Sequence, residues 1–122
     1  MITTDYETRR IAAKIDDGKL TLIKAFVQGA VYCHCNISAR GTKFAARDLF
    51  GGDNYYWEGT PLFALYKWHK VNNASDPVTM AGKDIGWVLL DVLAEDKRHF
   101  SKSKEYTNVY EWLPADGEEY VE

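Results

Sequence analysis

The sequence contains no long hydrophobic run and little cysteine, and both shortages narrow the class of protein. No stretch comes near the ~18 consecutive apolar residues of a membrane-spanning helix, and there is no charged-then-apolar leader. We therefore expect a protein that stays out of membranes and remains in the cytoplasm where it is made. Cys33 and Cys35 are the only cysteines, which excludes a fold held by several disulfides. In a reducing compartment both should be free thiols.

Residues with the chemistry of a metal site are also scarce. Cys33-His34-Cys35 could supply two sulfur ligands to zinc, which takes four ligands. A strand, however, would place the two thiols on one face and His34 on the other, and the sequence has no second cysteine pair. We expect Cys33 and Cys35 to be buried as small apolar side chains, and we predict no metal and no cofactor.

A catalytic constellation is equally hard to find. Cys33 or Cys35 could act as a nucleophile with His69, oriented by Asp53 or Glu58, but no local signature supports that pairing. The glycine-rich stretches lack the spacing of phosphate-binding loops. A small enzyme that uses Cys33 or His69 is therefore only a third hypothesis for function.

Charge is distributed unevenly along the 122 residues. Residues 1–50 carry eight basic and five acidic side chains, a net +3, whereas residues 51–122 carry seven basic and thirteen acidic ones, a net −6. The last eighteen residues contain six acidic and no basic side chains. Such a tail repels phosphates, which argues against direct nucleic acid binding, and it suits a basic partner surface. A solvated terminus that aids solubility is the alternative.

The most regular apolar spacing lies between residues 61 and 98 and predicts two helices joined by a short polar loop. Thr60-Pro61 and Asp76-Pro77 are helix-start signals, because Thr or Asp caps free N–H groups and proline fits the first helical position. Helical spacing follows both signals, at Leu62, Leu65, Tyr66 and His69, and at Ile85, Val88, Leu89, Val92 and Leu93. We predict that helices 61–71 and 77–98 bury these stripes against each other.

Gly82 and Gly86 stand four residues apart inside the second predicted helix. Each costs about 1 kcal/mol relative to alanine in a helix interior. One interpretation is a continuous helix whose bare face lets another backbone come close, including a helix of a second copy, so a homodimer stays open. The alternative is a break, with a short turn over residues 77–81 and the main helix beginning near Lys83.

The first third of the chain is predicted to form a small antiparallel sheet. Apolar and β-branched residues flank a tight-turn sequence at 16–19 and indicate about three strands, at 9–15, 20–27 and 31–35. The alternative is a helix over residues 6–14, where several good helix formers lie. A further short helix is predicted over residues 42–50, capped by Thr42 and stopped by glycines.

The last third is expected to close an α+β domain. Residues 101–104 are predicted as a polar linker, and residues 105–113 as a strand that joins the N-terminal sheet, with a helix as the alternative. Length, 46% hydrophobic residues and 27% charged residues fit one soluble globular domain. The sequence thus predicts an α+β fold in which an N-terminal sheet packs against three helices, followed by an acidic tail.

Three consecutive aromatic residues, Tyr55, Tyr56 and Trp57, lie in a predicted loop bounded by glycines. Three large rings in such a loop are unusual. They either form a lid on the core or present an exposed platform for a partner or a planar ligand.

The strings WEGTPLFALYKWH and AGKDIGWVLLDVLAEDKR resemble small accessory proteins carried by tailed bacteriophages and their prophages, over roughly residues 45–100. No catalytic residue carries over from the resemblance. It implies a genomic setting in which short proteins often act by binding and blocking a host factor, including CRISPR complexes and other defence systems.

The leading hypothesis is accordingly a non-enzymatic, phage-encoded inhibitor that docks on a host protein, such as a nuclease or defence complex. Aromatic anchors and acidic side chains would make the contact, namely Tyr55, Tyr56, Trp57, Glu105, Glu111, Glu118 and Glu119. The second hypothesis is a protein that binds a small nucleotide acting as a defence signal and that uses Arg9, Arg10 or Arg47 and a stacked aromatic ring.

Overall fold

A computed structural model describes residues 1–37 and 42–113, and within them it contains four α-helices and a three-stranded antiparallel sheet. The predicted α+β class is therefore confirmed. In chain order the elements are α1 (Asp17–Ile37), β1 (Lys43–Phe44), α2 (Ala46–Phe50), a one-turn 3-10 helix (Asn54–Tyr56), α3 (Phe63–Val71), α4 (Pro77–Glu95), β2 (His99–Lys104) and β3 (Asn108–Leu113). None of the helices in these ranges is long and apolar enough to cross a membrane. The predicted acidic tail, with Glu118 and Glu119, lies outside the described residues.

The predicted N-terminal position of the sheet is wrong, because the single long helix α1 occupies much of residues 1–36. Asp16 accepts a hydrogen bond from the backbone N–H of Lys19 (2.8 Å), so the supposed hairpin turn begins a helix instead. Buried side chains recur every four residues, at Ile23, Val27, Val31 and Cys35, which is a helical period and not a strand period. Residues 6–14 are not helical either; they belong to an irregular N-terminal segment (residues 2–16).

The sheet is assembled from later residues in the order β1-β3-β2. β2 and β3 form a hairpin in which Phe100 lies opposite Trp112, and Phe44 of β1 lies opposite Tyr110. The ring of Phe44 contacts those of Tyr110 and Phe100 at centroid distances of 5.9 and 6.1 Å, and the three buried rings lie on the core face of the sheet.

The ends of the predicted secondary structure also shift. Residues 101–104, predicted as a linker, belong to β2, and residues 108–113 form a strand, one of the two alternatives for that stretch. The backbone N–H of Thr3 donates to the Phe100 carbonyl (2.8 Å), so the N-terminal segment covers the outer edge of β2. Covering a strand edge in this way removes unpaired backbone groups.

Helices α3 and α4 occupy the two predicted helical segments and contact each other. Asp76 caps α4, because its side chain accepts hydrogen bonds from the N–H (3.1 Å) and hydroxyl (2.7 Å) of Thr79. α4 runs unbroken through Gly82 and Gly86, and a Cβ atom at either glycine would meet nothing within 4 Å in the described chain. The predicted continuous helix is thus present, but the close backbone approach is not found in that part of the chain.

One buried cluster draws side chains from both ends of the described chain and from the elements between them. It includes Ile2 of the N-terminal segment and Trp112 of β3, and the α4 stripe predicted from spacing lies at its centre. The short helix α2 begins after β1, at Ala46, so Thr42 is not its cap; Asp48 accepts from the N–H of Ala45 (2.8 Å) there.

Candidate binding surfaces

The three rings of the glycine-bounded loop do not form a common platform. Trp57 is buried (7% exposed), and its indole Nε1–H donates to the carbonyl of Phe50 (2.8 Å), so this ring is a lid on the core. Tyr56 is 75% exposed. The side chain of Tyr55 lies outside the described part of the structure. Trp57 as a partner anchor is therefore corrected to a core residue. Of the two rings of this loop whose side chains the structure describes, Tyr56 is the one that faces solvent.

The predicted acidic contacts lie on the β2–β3 hairpin. Glu105 is exposed in the turn, where its N–H donates to the carbonyl of Thr107 (3.0 Å). Glu111 is half-buried in β3, opposite Lys43 on one side and Ser101 on the other. Sheet pairing holds the position of Glu111, so of these two acids Glu105 is the more available to a partner.

The two cysteines differ in environment, because α1 turns them to different sides. Cys33 is exposed, which corrects the prediction that both are buried, whereas Cys35 is buried beside Arg98. Burial raises the pKa of the Cys35 thiol, and the charge of Arg98 opposes this only in part. A thiol held in its protonated form is a poor nucleophile and a poor metal ligand. In residues 1–37 and 42–113, no three His, Cys, Asp or Glu side chains come close enough to hold a metal ion.

His69 contacts Asp84 and not a cysteine. Its Nε2 lies 2.7 Å from Asp84 Oδ2, and both side chains are 2% exposed. Asp84 also accepts from the backbone N–H groups of Ala12 (2.8 Å) and Ala13 (3.2 Å). We assign the donor role to Nε2 of His69, because a carboxylate only accepts hydrogen bonds. This buried network fastens the N-terminal segment to α3 and α4, and it is sealed from substrate.

A groove opens where the N-terminal segment crosses α1 and α4, and we name it the basic groove. Its volume is about 410 Å³, within the ~300–1,000 Å³ typical of small-molecule sites. Its basic side chains are Arg9, Arg10, Lys14 and Lys24, and its apolar ones include Ile11, Ile15, Leu20 and Val88. Two arginines proposed for nucleotide binding thus line one cavity. Arg47 does not line it; this residue lies on α2 and packs against Gly52.

Asp91 of α4 is an acidic member of the basic groove. Desolvation by burial raises the pKa of its carboxyl group, Lys24 counteracts this rise and Glu95 adds to it. Asp91 is half-buried, so its carboxylate is only partly exposed to bulk water in this part of the groove.

The second surface is the outer face of α1, made of the side chains opposite its buried stripe: Leu22, Ala25, Phe26, Gly29, Tyr32, Cys33 and Ile37. Leu22 is 60%, Phe26 39% and Ile37 84% exposed. Residues 25–37 contain no charged side chain. Most surface helices carry charged residues on the side that faces solvent. The outer face of α1 is instead apolar, although polar side chains there would be better solvated in a monomer.

Neither surface was assigned in full from the sequence. The helical spacing of Ile23, Val27 and Val31, together with the absence of charge in residues 25–37, is the signal that could have revealed α1 and its outer face. The basic groove needed tertiary contacts, because its lining comes from three separate parts of the chain. The chain matches no family model, no curated protein and no solved structure.

Proposed function

We propose that this protein acts by binding another protein through the outer face of α1, as a non-enzymatic phage-encoded inhibitor of a host defence protein. The observation that carries the proposal is the exposure of Leu22, Phe26 and Ile37 on one face of a helix that carries no charged side chain over residues 25–37. Apolar area left in water forgoes about 25 cal/mol per Å². Contiguous apolar patches rimmed by polar residues are typical of interaction sites in soluble proteins.

The shape of the outer face suits an apolar helix or ridge on the partner. At helical spacing Ala25 and Gly29 lie between Leu22 and Phe26 on one side and Tyr32 on the other, and no atom lies within 4 Å of a Cβ at Gly29. Small residues at the centre let a partner approach the helix closely, while the larger ones flank it. Tyr56 and Glu105 are proposed as peripheral contacts.

A binding role also fits the positions of the reactive side chains. His69 is sealed in the core against Asp84, and Cys35 is buried beside Arg98. Cys33 lies on the outer face of α1 and shares no contact with His69. The enzyme hypothesis requires a nucleophile and its base within hydrogen-bond reach of each other beside a substrate cavity. His69, Cys33 and Cys35 do not form such a pair.

The choice of partner rests on the resemblance of residues 45–100 to small phage accessory proteins and on charge. The second half of the chain carries a net −6. Defence nucleases and nucleoprotein complexes expose basic surfaces that hold nucleic acid, and acidic side chains such as Glu105 would steer the chain toward them.

The test compares variants of the outer face with a control whose exposure is close to that of Leu22. Leu22→Lys and Phe26→Lys place a charge in the outer face, whereas Val71→Lys does so at a 67% exposed valine on α3. In bacteria that carry one defence system at a time, the wild-type chain and Val71→Lys should restore plaque formation by a restricted phage and capture a component of that system. Both outer-face variants should lose capture and restoration together.

Two results would contradict the proposal. One is loss of activity in Val71→Lys to the same degree as in Leu22→Lys. The other is a stable dimer of the wild-type chain in analytical ultracentrifugation that Leu22→Lys converts to single chains, because a second copy would then be the natural cover of the outer face.

A further inference from the structure

The basic groove joins positive charge to an apolar floor, a combination that a merely solvated basic surface does not need. Its charged lining comprises four basic side chains and two acidic ones, a local net +2 in a chain whose net charge is −3. We propose that the basic groove binds a phosphorylated nucleoside, with arginine side chains on the phosphates and the apolar floor under the base or sugar. This site is separate from the outer face of α1.

The phosphate end is assigned to Arg9 and Arg10. Both are exposed at the rim, and the guanidinium of Arg9 lies 5.4 Å from the centre of the Trp87 ring, a cation–π contact that limits its motion. A guanidinium group can donate two parallel hydrogen bonds to phosphate oxygens, and it stays charged at every physiological pH. Lys14 and Lys24 extend the positive potential along the groove.

The nucleoside end is assigned to the floor and to Asp91. Ile11, Ile15 and Leu20 are half-buried and Val88 is buried, so together they offer a surface on which a flat base or a sugar can lie. The carboxylate of Asp91 accepts hydrogen bonds only, which matches the hydroxyl groups of ribose and the amino groups of bases. Inorganic phosphate carries neither a ribose nor a base, and the carboxylate repels its charge, so Asp91 favours the nucleoside over a bare anion.

The wall of the basic groove is fixed before any ligand arrives. Asp84 holds the backbone N–H groups of Ala12 and Ala13 at 2.8 and 3.2 Å, and these residues lie between Arg10 and Lys14 in the lining. A wall that is already ordered saves the entropy of ordering it on binding.

Calorimetric titration of the full chain with ADP, GDP, CDP, UDP, pyrophosphate and adenosine tests the proposal. At least one nucleoside diphosphate should bind, pyrophosphate should bind at least about tenfold more weakly, and adenosine should give no heat. The double variant Arg9→Gln/Arg10→Gln should weaken nucleotide binding at least about tenfold. Lys43→Gln/Arg47→Gln removes the same two charges elsewhere and should leave the affinity within about twofold.

Asp91→Asn separates a contact with the nucleoside from a general effect of charge. Loss of the carboxylate removes repulsion of phosphate, so pyrophosphate should bind more tightly, while the preference for the nucleotide over pyrophosphate should shrink.

The proposal is overturned if no diphosphate binds, if both double variants lose affinity equally, or if pyrophosphate binds as tightly as the best nucleotide. An equal gain for both ligands in Asp91→Asn removes Asp91 from the site. Leu22→Lys should leave nucleotide affinity unchanged, so failure here is distinguishable from failure of the proposed function.

Discussion

At the scale of single residues, the carboxylate of Asp84 decides how the N-terminal segment is held. It is 1% exposed and accepts hydrogen bonds from His69 and from the backbone of Ala12 and Ala13. A buried charge is costly unless it is hydrogen-bonded, and here three donors converge on it. Burial of the carboxylate costs desolvation free energy, but its hydrogen bonds fix the path of the N-terminal segment. This segment forms one wall of the basic groove.

Removing that carboxylate should therefore lower the stability of the fold strongly. Asp84→Ala leaves the Nε2–H of His69 and two backbone N–H groups without an acceptor, and we expect the free energy of unfolding to fall by about 3–5 kcal/mol. Urea denaturation followed by tryptophan fluorescence measures the loss. Asp53→Ala, at an exposed acidic residue, should change stability by less than about 0.5 kcal/mol. A loss below about 1 kcal/mol for Asp84→Ala would show that the network contributes little.

The role of Asp84 could not be predicted from the sequence. In the spacing of α4 it stands with Lys83 and apart from the apolar stripe, which indicates a solvated position. Its backbone partners lie 71 and 72 residues away, so only the folded chain brings them together. Arg9 and Arg10, by contrast, were identified by charge alone, and the fold places both in one groove, while Arg47 lies elsewhere.

At the scale of elements, α4 and α1 show why one helix was predictable and the other was not. α4 has a cap at Asp76, a proline at its first position and one apolar stripe, so several local signals agree. α1 is apolar on its buried face and on its outer face, so its periodicity is blurred, and the sequence at 16–19 is as suited to a hairpin as to a helix start. A sheet was the natural but wrong interpretation.

The glycines of α4 give a test at this scale. Gly82 and Gly86 are helical and a Cβ at either would meet nothing within 4 Å, so alanine at each should raise the free energy of unfolding by about 0.5–1 kcal/mol. Gly59→Ala is the matched control and should lower it, because Gly59 has φ +89°, which side chains rarely adopt. Thermal unfolding by circular dichroism measures all three. No gain from either α4 substitution would mean that the bare glycine face already has a contact in solution.

At the scale of the whole molecule, the core joins segments that are far apart in sequence. Ile2, Leu65, Leu89 and Tyr110 belong to one buried cluster, so the N-terminal segment, the helical pair and the sheet share the same interior. Helix pairs can be predicted from local spacing, but a core of this kind depends on long-range contacts that no local pattern encodes. That is why the α+β class could be predicted while the position of the sheet could not. The single domain, which was predicted from length and composition, stays a prediction.

Alkaline unfolding tests that single core through Tyr110, which is 2% exposed. Desolvation by burial raises the pKa of Tyr110 to about 12 from the ordinary 10, with the Asn108 side chain opposing part of the rise. Between these values the unfolded chain has lost the proton and the folded chain keeps it, so stability is full below pH 10 and falls as the pH rises toward 12, by about 2–3 kcal/mol. Tyr110→Phe should remove this part of the pH dependence, whereas Tyr106→Phe, at a fully exposed ring, should not. The tyrosinate absorbance of Tyr110 is the difference between the wild-type chain and Tyr110→Phe. If all segments share one core, this difference, tryptophan fluorescence and helical circular dichroism change together along the pH titration. Ionisation of Tyr110 ahead of the loss of helix would instead separate the sheet from the helical pair as an independent unit.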